Sequence, residues 1–136
     1  MAKVDELLRY IDDPDDDSTL AYQVVDEIAA SGDTSLLPRL TAELRRFLDT
    51  GDFYGRDVIA DTLAGLGGID VLPLLIEASA RDLGDDQDTL QSTVLELMWT
   101  DKRRAGAILD ELETEGRPDL RHRVAHAREL LDSGLI

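Results

Sequence analysis

The chain has 136 residues, 30 acidic against 14 basic, a net charge of −16, 43% hydrophobic residues and no cysteine. At this length one domain, 1–136, can bury a real core, because about two-thirds of the unfolded surface is hidden on folding, and the composition is that of a folded rather than a disordered chain. The missing thiols exclude disulfides, zinc–thiolate and iron–sulfur sites and cysteine nucleophiles, and the negative field opposes binding to phosphate backbones and anionic lipid.

Residues 1–6, MAKVDE, turn acidic too early for the apolar region of a signal peptide. No uninterrupted apolar run approaches the ~20 residues of a membrane span, so the cytoplasm is the expected location. The charge is uneven: residues 1–100 hold 22 acids and 7 bases, residues 101–136 hold 8 and 7. Any acidic surface therefore belongs mostly to the first three-quarters.

Val4, Leu7, Leu8 and Ile11 fall at helical spacing and predict a short helix over 3–12, ended by the Asp12–Asp17 run around Pro14. Ser18 is the expected N-cap of a helix over 19–31, with Leu20, Val24, Val25 and Ile28 inward and Gly32 closing it. Thr34 or Ser35 then caps residues 35–49, whose stripe is Leu37, Leu40, Leu44, Phe47 and Leu48, with Pro38 tolerated in the first turn. Thr50-Gly51-Asp52 ends that helix.

Ile59, Leu63 and Leu66 mark the next helix, and after Gly67-Gly68 a second one carries Leu72, Leu75, Ile76 and Ser79. A polar break over 84–88 leads to a helix over 88–99 with Leu90, Val94, Leu97 and Met98. Asp101 caps its successor, where Ala105, Ile108, Leu109 and Leu112 face inward. Beyond Gly116 and Pro118, Leu120, Val124, Ala127 and Leu131 define a last helix ending at Gly134. No stretch reads as a strand.

Offsetting the chain by 35 residues places Val24 on Ile59, Asp26 on Asp61, Ile28 on Leu63, Ala29 on Ala64 and Gly32 on Gly67. The register continues past the turn, with Leu36 on Val71, Leu37 on Leu72, Pro38 on Pro73, Leu40 on Leu75 and Arg46 on Arg81. A period of this length signals stacked helical pairs, none of which can bury its apolar faces alone. The repeat units fall at 18–49, 53–83 and 87–115, the third with Asp101 near the turn in place of the glycine.

The run Val58-Ile59-Ala60-Asp61-Thr62-Leu63-Ala64-Gly65-Leu66-Gly67-Gly68, followed by Val71-Leu72-Pro73-Leu74-Leu75, resembles a HEAT-like repeat over residues 18–83. That resemblance implies an all-α, right-handed α-α superhelix of about eight helices in four antiparallel hairpins, 3–31, 35–66, 69–99 and 101–133. It also implies a concave face, lined by the second helix of each pair, that holds another protein. The scaffold itself implies no activity.

His122 and His126 stand at i, i+4, a spacing that suits a shared metal, but they fall opposite the Leu120–Val124–Ala127 stripe among Arg121, Arg123 and Arg128, and the expectation is a solvated face with no metal. The Asp12–Asp17 run lacks the glycine and glutamate positions of an EF-hand loop, and Asp85, Asp86 and Asp88 read as a solvated turn. No His-Glu dipeptide, phosphate-binding glycine loop or nucleophile–histidine–acid set occurs. Lys102-Arg103-Arg104 and the arginines of the last helix read as counter-charges rather than a nucleic-acid patch.

The resulting expectation is a module without an enzymatic reaction or cofactor, binding a basic protein through Arg39, Glu43, Arg46, Glu77, Arg81, Asp110, Glu111 and Glu113. Trp99, the only tryptophan, either packs against the next hairpin or serves as a binding anchor; Tyr22 and Tyr54 carry the same two readings more weakly. An immunity-type role, neutralising a basic toxin, fits the charge and size. An assembly adaptor or scaffold fits as well, and a bilin-lyase-like cofactor accessory is the alternative from another class.

Overall fold

A computed structural model describes residues 2–13, 15 and 18–133, and these form α-helices and two short 3₁₀ turns with no strand among the described residues. The helices are α1 (Ala2–Ile11), α2 (Thr19–Ser31), α3 (Leu37–Thr50), α4 (Phe53–Gly67), α5 (Leu72–Ser79), α6 (Asp88–Thr100), α7 (Lys102–Glu115) and α8 (Arg121–Asp132). Pro14, Asp16, Asp17 and Gly134, to which the sequence assigns a loop and a helix end, lie outside the described residues. The chain divides into two compact units, Met1–Gly67 and Gly68–Ile136.

In the first unit α4 is the central element, packed on α2, α3 and α1. Gly55, Arg56, Val58, Ile59, Ala60, Thr62 and Leu63 are all buried, so α4 is enclosed around most of its circumference rather than along one stripe. Asp52 starts it, its Oδ1 accepting a hydrogen bond from the Gly55 N–H at 3.0 Å. Gly55 is glycine for a packing reason: a Cβ there would meet the Phe47 ring of α3 at 2.4 Å.

In the second unit α5 occupies the corresponding place, packed on α6, α7 and α8. Leu72, Leu75, Ile76, Ala78 and Ser79 are buried, and full burial of each large aliphatic side chain is worth roughly 1.5–3 kcal/mol. The polar break after α5 is itself folded. Gln87 is buried at φ 61°, and its Nε2 donates to the carbonyls of Ser79 and Arg81, both at 3.1 Å.

The two stretches aligned by the 35-residue offset share an order of elements, although the second is divided between the two units. Each copy runs helix, 3₁₀ turn, helix: α2, Thr34–Leu36, α3, then α4, Gly68–Val71, α5. Pro38 and Pro73 both sit in the first turn, where the absent N–H has no intrahelical partner to lose. Gly32 takes the left-handed conformation that glycine adopts without strain, whereas in the second stretch it is Gly68, one place past the matching Gly67, that does so.

Several local expectations change. Ser18 lies at φ 76° and makes no side-chain cap, and Asp33 rather than Thr34 or Ser35 caps the next element, accepting from the Ser35 N–H at 3.1 Å. Leu20 is 43% exposed; Ala21, with Val24, Val25 and Ile28, completes the buried face of α2. The shift is one residue, which on a helix turns a side chain by about 100°. Leu36 is buried and Leu37 only partly so, because the 3₁₀ turn delays α3 by two positions.

Phe53–Ser79 together are long and apolar enough, by composition, to cross a membrane, with mean hydropathy 1.7. Asp70 and Glu77 interrupt the run, Gly68 breaks it at φ 65°, and half of its most apolar window is buried inside the protein.

Candidate interaction surface

The charged residues expected to meet a partner are mostly engaged within the chain. On α3, Arg39 pairs with Asp5 at 2.5 Å and Arg46 pairs with Glu43 at 2.7 Å. Arg39 holds the exposed Asp5 carboxyl below the usual carboxylate range, chiefly through that hydrogen bond. In the second unit Arg117 bridges Glu77 at 3.7 Å and Asp119 at 2.7 Å, and Arg104 bridges Asp70 at 3.7 Å and Glu111 at 3.6 Å. Arg128 on α8 reaches Asp110 at 2.5 Å and Glu113 at 3.3 Å on α7. Arg81 follows α5 and is exposed.

The second unit has an unusual charge order. Helix α7 opens with Lys102, Arg103 and Arg104 and closes with Glu111, Glu113 and Glu115, against its own dipole, and α8 runs from Arg121 and Arg123 to Glu129 and Asp132 in the same sense. Within the second unit α7 and α8 pack together, and Arg128 takes up acids of its neighbour. An open cleft of about 290 Å³ lies between them, with Leu112, Val124 and Ala125 in its wall and Glu113, Arg117 and Arg121 at its edge.

Trp99 is 62% exposed, the most exposed large hydrophobic side chain of the described residues. On α6 it shares an outward stripe with Thr89, Ser92 and Glu96, opposite the buried Leu90, Thr93, Val94, Leu97 and Met98. His122 and His126 are both exposed, as their position opposite the α8 stripe requires, and no group of three or more metal-ligating side chains gathers among the described residues.

The sequence reading passed over a buried polar cluster in the first unit. Arg56 is fully buried, and its Nε and Nη2 donate to Asp57 Oδ1 at 2.9 and 2.8 Å. One turn on, Asp61 accepts from the Tyr22 hydroxyl at 2.5 Å. Burial first, and then this hydrogen bond, raises the Tyr22 phenol well above its ordinary range, with Asp57 and Tyr54 close enough to add to the shift. The signal was present: Arg56, Ile59, Ala60 and Leu63 stand at i, i+3, i+4 and i+7, which puts an arginine on the core stripe.

Comparison with family models, with curated proteins and with solved structures found no match to this chain.

Proposed function

We propose that the chain is a non-catalytic protein-binding module of the HEAT-like repeat kind, cytoplasmic, with its helices arranged as four antiparallel hairpins of a right-handed superhelix. Its role is to bind a basic protein, as an immunity-type protein that neutralises its partner. The exposure of Trp99 on a chain of net charge −16 carries this reading. A surface tryptophan offers large rigid contact area and is enriched at interface hot spots, while the negative field speeds encounter with a basic partner.

Affinity capture of the tagged chain from its native cell, read by mass spectrometry, tests the proposal. The expected result is one dominant partner with an excess of lysine and arginine, released by salt. Recovery of no protein, or of partners no more basic than the lysate at large, overturns it. Loss of the captured partner's enzymatic activity in the complex distinguishes neutralisation from the adaptor role, in which that activity persists.

A further inference from the structure

Helix α6 differs from α7 in what its surface charges do. Asp110, Glu111 and Glu113 on α7 are each held by an arginine of the same unit. Helix α6 contains no basic residue, and Asp88 and Glu96 form no ion pair among the described residues. Glu96 stands three residues before Trp99, so the two side chains are neighbours on one helix face, about 5–6 Å apart at Cβ. A carboxylate with no ion pair thus lies beside an indole that is 62% exposed.

We propose that Glu96 and Trp99 form a clamp for a single arginine side chain of a basic protein partner, a reading that rests on the protein-binding function above. The guanidinium stacks on the indole, whose π face attracts cations, and its N–H groups donate to the Glu96 carboxylate. Arginine suits this pair better than lysine because its planar group stacks and hydrogen-bonds at the same time. Ser92 and Thr89 extend the stripe toward the start of α6 and give a peptide backbone hydroxyls to bond.

The chain's one tryptophan makes the test direct, since fluorescence excited at the red edge of the absorption band, where its three tyrosines do not absorb, reports on Trp99. Hexa-arginine, hexalysine and hexaglutamate amides are titrated into the full-length protein. Fluorescently labelled hexa-arginine, followed by anisotropy, gives affinities for variants without the indole. The arginine peptide is expected to perturb the emission saturably and to bind more tightly than the lysine peptide, with no response to the glutamate peptide.

Trp99→Ala and Glu96→Gln should each weaken arginine-peptide binding by roughly two- to fivefold, the size of an exposed cation–π contact or surface ion pair. The double variant should lose less than the product, because both groups hold one cation. Asp26→Lys on α2 and Glu96→Lys change the net charge equally, and only the second should matter. Equal losses from the two reversals mean that net charge alone attracts the peptide, and they overturn the clamp.

Wild-type-like binding by Trp99→Ala overturns the clamp while leaving the protein-binding reading in place. Failure of the wild-type chain to bind any basic peptide removes both the clamp and the basic partner. Unchanged circular dichroism confirms that each variant is folded, as expected for exposed positions.

Discussion

The two compact units carry nearly the same charge and place it differently. Each holds 15 acidic residues, against six basic ones in Met1–Gly67 and eight in Gly68–Ile136. The first unit takes an arginine into its core, where Arg56 is 0% exposed and paired with Asp57. The second holds Arg104, Arg117 and Arg128 nearer the surface, in pairs with carboxylates that water screens. The same chemistry at two depths should therefore have very different consequences for stability.

The widest gap is expected at Arg56. Arg56→Ala takes the guanidinium from the Asp57 carboxylate and opens a cavity at α4, and breaking a buried pair in this way costs about 3–5 kcal/mol. Urea denaturation should show a midpoint shift of that size, and a loss below about 1 kcal/mol would mean that Asp57 simply rehydrates. Replacing both residues, Arg56→Met with Asp57→Asn, should recover much of the loss, because no charge is then left buried alone.

Tyr22→Phe comes next. Removing the hydroxyl leaves the half-buried Asp61 one donor short and should cost roughly 1–2 kcal/mol near neutrality. The pH dependence sharpens the test. The folded-state pKa of Tyr22 lies above its unfolded value of about 10, so above that pH the unfolded chain binds fewer protons than the folded one and stability falls. Stability is full below the unfolded value and declines as pH rises toward the folded one. The phenylalanine variant should show a shallower alkaline decline in denaturant midpoint, and an identical slope would remove Tyr22 from this account.

Arg128→Ala is the smallest. It breaks two ion pairs across α7 and α8, yet its exposed partners rehydrate, and the expected loss is below about 1 kcal/mol and declines further with salt. A loss equal to that of Arg56→Ala would erase the contrast between the units.

Helix-forming stripes and stop signals were legible in the sequence because they are local. The α2 range 19–31, the closing glycines Gly32, Gly51 and Gly116 and the Asp101 cap all correspond to backbone geometry, the last through a 2.9 Å hydrogen bond from the Arg104 N–H. What a short window missed depends on tertiary neighbours. A charged side chain on an apolar stripe looks like an error until its acid is found beside it, as with Arg56 and Asp57. A one-residue rotation separates Leu20 from Ala21, and hydrophobicity alone favours the wrong one. The surface residues were legible as charges but not as pairs, since Arg39 finds Asp5 34 positions away.

Gln87 gives the end of α5 a property that its sequence alone lacks. The helix is only eight residues long, and a helix that short would ordinarily fray at its carbonyl end. Here one side-chain amide bonds the carbonyl of Ser79, the last residue of the helix, and that of Arg81 just beyond it, so the stretch from Ser79 to Gln87 is closed into a ring by a single group. Such a ring opens as a whole or not at all. Amide protons within it should exchange with deuterium together, through one shared opening event, rather than in a gradient that quickens toward the helix end.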